Sequence, residues 1–287
     1  ADLALYRAKA DGRGCFCFFE PALDAAARTR RELELDLRAA IAGGQFELHY
    51  QPIIDLALDR IGGFEALLRW RHPRRGLVSP AEFVPVAEET GLIVAVGEWV
   101  MQEACRAAAA WPQAVRVAVN VSALQFRHGG FASIVTQALA RSGLEPHRLE
   151  VEITESVFLD GAGPVAQVLH SLRALGVRVA LDDFGTGYSS LSYLRAFPFD
   201  KIKIDRSFVT AIAHDEGAAA IVRAIVDLAG ALKMDTTAEG VETELQLDWL
   251  RMRRIDEVQG YLLGRPMPFD ELLPLLLRQA GLPAETA

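Results

Sequence analysis

From Phe46 onward, short apolar runs and helical patterns take turns along the chain, and this alternation constrains the fold more than any single residue. Strand-like runs fall near 46–54, 61–70, 115–121, 149–154, 177–182, 201–204, 235–239 and 255–259. Helical periodicity separates nearly all of them, at 80–89 with 92–110, 130–142, 163–175, 189–197, 217–233 and 243–253, and a last helix is predicted near 270–279. Strand then helix, repeated, builds a parallel sheet, and eight strands point to an α/β fold of the (β/α)8 TIM-like barrel type. A doubly wound open sheet is the alternative. One connection departs from the pattern: only Asp55–Arg60 separates the first two strands, too little for a parallel crossover, so an antiparallel first strand is expected. Ahead of the barrel, Arg28–Ala42 reads as an amphipathic helix with Leu33, Leu37 and Ile41 on one face, ended by Gly43-Gly44. Ser79-Pro80-Ala81-Glu82 reads as a capping box opening a helix.

The 287 residues suit one barrel plus an extension, and a hydrophobic fraction of 51% with 24% charged residues excludes disorder. A formal net charge of −8 argues against DNA, RNA or an anionic membrane as partner, without excluding a small phosphate ligand held through cations. Cys15, Cys17 and Cys105 are too few and too scattered for a disulfide framework and fit free thiols in a reducing compartment. No apolar run approaches the roughly 20 residues of a membrane helix, and no signal peptide opens the chain. A cytoplasmic protein making no membrane contact through this segment is expected. The chain starts without methionine inside a helical pattern, which suggests a piece of something longer.

Function is written in the polar positions of the strands. Successive strand side chains face opposite ways, so in Val117–Val121 the valines share one face and Asn120 takes the other. Val151 and Ile153 oppose Glu150 and Glu152; Val179 and Leu181 oppose Asp182; Ile202 and Ile204 oppose Lys201 and Lys203. Glu239 and Gln259 end the last two strands, and Glu65 shares a face with Leu67 and Arg69. With apolar faces against the helices, the polar faces point into the barrel, mostly at carboxyl ends of strands, where barrel active sites lie. Glu65, Glu152, Asp182, Asp183 and Glu239 would then meet with only Lys203 and Arg69 as cations. Two like charges ~4 Å apart repel by ~4 kcal/mol at an effective dielectric near 20. Protonation is one escape and bound divalent cations the other. Oxygen-only ligands suit hard ions such as Mg2+ or Mn2+, and six dispersed histidines offer no metal-spaced pair.

Glu-Ala-Leu-Leu-Arg-Trp at 65–70 resembles the signature of EAL domains. The likeness continues through Tyr50-Gln51-Pro52-Ile53, Asn120-Val121-Ser122, Glu152-Ile153-Thr154-Glu155-Ser156, Asp182-Asp183-Phe184-Gly185-Thr186-Gly187, Lys203-Ile204-Asp205, Ala238-Glu239-Gly240-Val241-Glu242 and Gln259-Gly260-Tyr261, roughly over 28–280. The resemblance implies a barrel with an antiparallel first strand that opens cyclic di-GMP to pGpG. It implies two divalent cations, Mg2+ or Mn2+, held by Glu65, Asn120, Glu152, Asp182, Asp183 and Glu239. By the same resemblance Lys203 holds the attacking water, with a lesser general-base role open to Glu239; Arg69 binds a substrate phosphate, and Gln51 and Gln259 line the groove. Glu155 would anchor the glycine-rich loop 183–190, which couples the site to a homodimer. A receptor that binds without cutting stays open as a second reading. Departures are Thr236-Thr237, where aliphatic residues are typical, and Arg254, where glycine often ends a helix. Residues 1–25, with Ala4-Leu5-Tyr6, Ala8-Lys9 and Gly12-Arg13, resemble the end of a GGDEF domain, leaving 26–287 as the barrel domain and implying an upstream GGDEF partner.

Overall fold

A computed structural model describes residues 21–112, 115–158, 162–185 and 191–280. The helical pattern that opens the chain, most of the GGDEF-like segment 1–25 and residues Thr186–Ser190 of the glycine-rich loop lie outside the described residues. Two compact units divide the chain: Ala1–Phe46 with Trp70–Leu92, and Glu47–Arg69 with Ile93–Ala287.

In the first unit, helix α1 spans Pro21–Gly43. It begins earlier than the predicted Arg28, at a proline, whose missing N–H costs nothing in a first turn. Leu33, Leu37 and Ala40 are its buried face, while Ile41 is only half-buried. Strand β2, Arg60–His72, ends here by pairing antiparallel with β3, Gly76–Val78, before helix α2, Pro80–Glu89. Trp70 packs edge-on against Phe83 at 5.5 Å, and its indole N–H donates to Gln45 Oε1 at 3.0 Å. The capping box predicted at Ser79 is not formed: Ser79 is the N-cap, but its hydroxyl makes no capping bond. The Glu82 N–H that the box would engage is taken instead by the Ser79 carbonyl at 2.9 Å.

The second unit holds the barrel. Strand β1 is Phe46–Asp55, and β4 to β9 are Arg116–Asn120, Leu149–Thr154, Arg178–Phe184, Lys201–Ile204, Asp235–Ala238 and Glu257–Val258. Neighbours run β1-β9-β8-β7-β6-β5-β4-β2, and a β1–β2 pairing closes the ring. The pairs from β2 to β9 are all parallel, whereas β1 meets β9 antiparallel, as the short first connection requires. Asp55 Oδ1 ties that turn by accepting from the N–H groups of Ala57 and Leu58 at 2.9 and 3.0 Å. A further short strand, β10 (Met267–Pro268), pairs with β1. Helices α3 (Ile93–Ala109), α5 (Phe131–Ser142), α6 (Ala162–Leu175), α7 (Leu191–Ala196), α9 (Glu216–Leu232), α10 (Glu244–Met252) and α11 (Phe269–Gln279) fall close to their predicted places. Among the described residues two short α-helices were not foreseen, α4 (Ala123–Arg127) and α8 (Arg206–Ala211). The departures read from the sequence are accommodated. Thr236 and Thr237 are buried with their hydroxyls donating to Asp256 and Glu257 at 2.8 and 3.1 Å, and Arg254 takes the left-handed backbone, φ +59°, that glycine would adopt freely.

Inside the barrel the polar side chains form two layers. In the layer nearer the strands' amino ends, the buried Lys201 ammonium sits 2.6 Å from both Glu150 and Glu257. Arg178 reaches Glu150 at 3.3 Å and Asp235 at 2.5 Å, and Arg116 pairs with Glu257. Three cations thus face three carboxylates. Although burial alone would raise it, Glu150 is drawn down from the usual 4.5 to about 2 by Lys201 first and the arginines second. Its contribution to stability is therefore present above the ordinary carboxylate range and is lost as pH falls toward 2. Lys201→Met, which strands two buried carboxylates, should destabilise the fold by about 3–5 kcal/mol. Urea unfolding at neutral pH measures this, and a loss under about 1 kcal/mol would show that the layer is not a paired network.

Candidate metal and phosphate centre

The layer at the carboxyl ends is built differently. Its residues lie further along the strands: β2 carries Glu65, β4 Asn120, β5 Glu152, β6 Asp182 and Asp183, and β7 Lys203. Glu239 and Gln259 follow directly after β8 and β9, held there by N–H donation from Glu239 to Ile204 and from Gln259 to Ala238, at 3.1 and 2.9 Å. Lys203 is 1% exposed, and its Nζ lies 2.7 Å from Glu152, 3.2 Å from Asp182 and 2.5 Å from Glu239. Asn120 Nδ2 and Gln259 Nε2 each donate to a Glu65 oxygen at 2.5 Å, and Gln259 also donates to Gln51 at 3.0 Å. Direct contacts thus join Glu152, Asp182 and Glu239 to Lys203, and Asn120, Gln259 and Gln51 to Glu65 or to one another, and Glu65, Glu239, Gln51 and Gln259 line one cavity. Asp183 joins them: ligand oxygens of Asp182, Asp183 and Glu239 lie within 4.8 Å of one another.

Charge here does not balance. Five carboxylates meet one lysine, and Glu152, Asp183 and Glu239 report the excess. Burial, opposed by Lys203 but reinforced by Glu65, Asp182 and Glu239, pushes Glu152 well above the carboxylate range. Glu239 rises to about 8 by burial, despite Lys203, with Asp182 and Glu65 adding to the rise. Asp183 is raised by burial and by Asp182 and Asp205. Lys203 stays protonated: desolvation works against its charge, but Asp182, Glu152 and Glu239 outweigh it. Among the described residues, Glu152 Oε1 is buried without a hydrogen-bond partner. Asp183 has a left-handed backbone, φ +53°, an uncommon state for a residue with a Cβ that Asp tolerates better than most. Excess negative charge, an unpartnered carboxylate oxygen and an all-oxygen donor set fit hard divalent cations.

The other expected residues are placed as follows. Arg69, on β2 beyond Glu65, is half-buried, and its Nη1 donates to the Leu68 carbonyl at 2.9 Å. Burial lowers its pKa against the pull of Tyr261 and Glu65. A cavity at the mouth is lined by Gln51, Glu65, Glu239 and Gln259, but not by Arg69. Glu155 Oε1 accepts from the Gly185 N–H at 3.4 Å, at the start of the glycine-rich loop. Two charged lining residues were given no site role by the sequence, Arg206 and Glu242, although Glu242 lies in the quoted motif 238–242. Arg206 opens α8 just after β7, and the Asp205 N-cap, which accepts from Ser207 N–H at 3.0 Å, was the signal available.

An eight-stranded barrel with one reversed strand, its mouth lined by oxygen ligands around a buried lysine, defines the class: a barrel equipped for divalent cations. A family model described as EAL domain matches residues 34–266. The chain belongs to the EAL domain family. It is 50% identical over 284 residues to the uncharacterized protein y4lL of Sinorhizobium fredii, covering 99% of this chain and 34% of the relative. With MucR of Pseudomonas aeruginosa, a bifunctional diguanylate cyclase/cyclic di-GMP phosphodiesterase, it shares 48% identity over 277 residues, covering 95% of this chain and 40% of MucR. The solved PaMucR phosphodiesterase, a c-di-GMP complex, superposes with a TM-score of 0.81 at 49% identity over 84% of this chain and 100% of that one. The chain thus spans between a third and two fifths of these curated relatives' length. Among the described residues no helix is long and apolar enough to cross a membrane.

Proposed function

We propose that this chain hydrolyses cyclic di-GMP to linear pGpG at the barrel mouth. The observation that carries the reading is the convergence of Glu152, Asp182 and Glu239 on a single buried lysine, with Glu65 lining the same cavity as Glu239, in a family whose relative MucR is named a cyclic di-GMP phosphodiesterase. Glu65, Asn120, Glu152, Asp182, Asp183 and Glu239 would hold two divalent cations, Mg2+ or Mn2+. When bound, such cations supply Lewis acidity at the phosphodiester and neutralise charge developing on its oxygens. Lys203, by giving up one of its three carboxylate contacts, holds the attacking water by hydrogen bonding. That water's oxygen forms the new bond to phosphorus, the bond to the 3′ oxygen breaks, and the departing oxygen takes a proton, leaving a 5′-phosphate. Arg69 offers its planar fork to a phosphate and Gln51 with Gln259 lines the groove. The same reading carries with it a cytoplasmic homodimer, with residues 1–25 as the end of a GGDEF domain.

Incubation with cyclic di-GMP and Mn2+, followed by chromatography, should yield pGpG as the first product. Tight binding of cyclic di-GMP by the metal-replete protein with no product would instead make it a receptor.

A further inference from the structure

Helix α3 carries a glycine where a helix gains nothing from one. Gly97 lies inside Ile93–Ala109, is buried, and has no left-handed backbone to require it, while alanine would hold the helix better. The reason stands opposite. A Cβ built at 97 would overlap Gln125 Nε2 and lie 2.5 Å from its Cδ, so Gly97 leaves the space that the Gln125 amide fills. That amide is committed. Its Oε1 accepts the Ser122 N–H at 3.0 Å, completing the reciprocal box that opens α4, and the Gln125 N–H returns to the Ser122 carbonyl at 3.0 Å. Ser122 is two residues past Asn120, and the intervening Val121 N–H donates to the Glu152 carbonyl at 2.9 Å. Both peptide N–H groups after Asn120 are therefore bound, one by the backbone of β5 and one by the Gln125 side chain. The Val121 bond continues strand pairing and needs no particular residue. The Ser122 bond needs an acceptor side chain, and a glycine that admits it. With five residues, α4 is too short to hold its place by its own hydrogen bonds. Phe126, stacked on Phe131 at 4.9 Å, anchors it four residues beyond Ser122.

We infer that Gln125, seated against Gly97, is a positioning residue for Asn120 and, through it, for cation binding at the mouth; this rests on Asn120 being one of the ligands proposed above. Asn120 is exposed at the end of β4, and its Nδ2 donates to Glu65, which leaves Oδ1 as the atom that can face a cation. The pull of a neutral amide dipole on a cation falls off faster with distance than that of a carboxylate charge. Asn120 therefore depends more than its acidic neighbours on where the backbone puts it. Its side chain has only two torsions, so the course of the chain through Val121 and Ser122 sets the position of Oδ1. Gln125 clamps that course from outside the barrel, without touching the mouth.

Mn2+ binding to the whole chain, followed by the loss of the free-ion paramagnetic resonance signal, tests this without reference to turnover. Circular dichroism in chelator shows that the variants compared are folded. Gln125→Ala should weaken Mn2+ affinity about 10- to 100-fold, the usual effect of removing a group that orients a ligand. Gly97→Ala, whose methyl evicts the amide, should weaken it about as much. The double variant should bind no worse than Gln125→Ala alone, because both changes act through one hydrogen bond. Gln125→Glu keeps the acceptor oxygen and should stay within about threefold of wild type. Turnover of cyclic di-GMP lost in Gln125→Ala at limiting Mn2+ should return at saturating Mn2+. An affinity within about threefold of wild type in Gln125→Ala would overturn the assignment whatever becomes of Gly97→Ala, leaving Gln125 as a helix cap alone. A loss in Gln125→Glu equal to that in Gln125→Ala would overturn it too. If wild type binds no Mn2+, the cation centre falls and this inference with it; if wild type binds Mn2+, the variants decide this inference alone.

Discussion

Glu152→Gln is expected to cut cyclic di-GMP turnover on the order of 1,000-fold, about 4 kcal/mol of transition-state stabilisation, while raising the melting temperature of the metal-free protein. Glu152 is 1% exposed, touches Lys203 at 2.7 Å and carries a second oxygen with no partner. Glutamine keeps the shape and one oxygen for Lys203 but removes a charge from the crowded mouth. The sign of the stability change follows from the titration. Burial and the neighbouring carboxylates raise the Glu152 pKa in the folded state, so what it contributes to folding is fully present below the ordinary carboxylate value and is lost as pH rises. The variant has no such loss. Its thermal advantage in chelator should therefore be absent near pH 4.5 and open up toward neutrality. Steady-state kinetics and calorimetric melts across pH measure the two halves. Turnover within tenfold of wild type, or a lower metal-free melting temperature at neutral pH, would show that Glu152 is an ordinary paired core residue.

The contrast between Glu152 and Glu150 marks the limit of what sequence alone could say. A period of two places both on one strand face, as it does Lys201 and Lys203, and that much is local. Which pair is neutralised depends on partners carried by other strands and connections: Glu257, Arg116 and Arg178 for the inner layer, Asp182 and Glu239 for the mouth. Charge balance is a property of the closed barrel and has no periodicity to read. The short helices α4 and α8 escaped for a related reason, since five or six residues do not display a helical period. Their caps were nonetheless present, in the reciprocal box of Ser122 with Gln125 and in Asp205. Reading Ser79 as a box while passing over Ser122 shows that the motif locates a helix start more reliably than it assigns the bonds made there. Arg206 was invisible because its partner Glu242 lies on a different connection.

Removal of divalent cations should abolish turnover, and their return should both restore it and stabilise the fold, because one excess of charge governs the two effects. Five carboxylates share the single lysine at the mouth, and those of Glu152, Asp183 and Glu239 are held above their ordinary pKa values. A cation that binds only the folded chain adds RT ln(1 + [L]/Kd), about 2.7 kcal/mol at a hundredfold excess over Kd. At roughly 2–4 °C per kcal/mol for a chain of this size class, Mg2+ or Mn2+ should lift the melting temperature by about 5–10 °C above that in chelator. Lys201→Met sits in the balanced layer, so it should lower stability yet keep most of this cation-dependent rise, whereas Glu152→Gln should lose most of it. Melts with chelator, Mg2+ and Mn2+ on the three proteins separate the layers. An equal cation response in all three would mean that the ions bind elsewhere on this acidic chain, and the mouth would then have to tolerate its carboxylates by protonation.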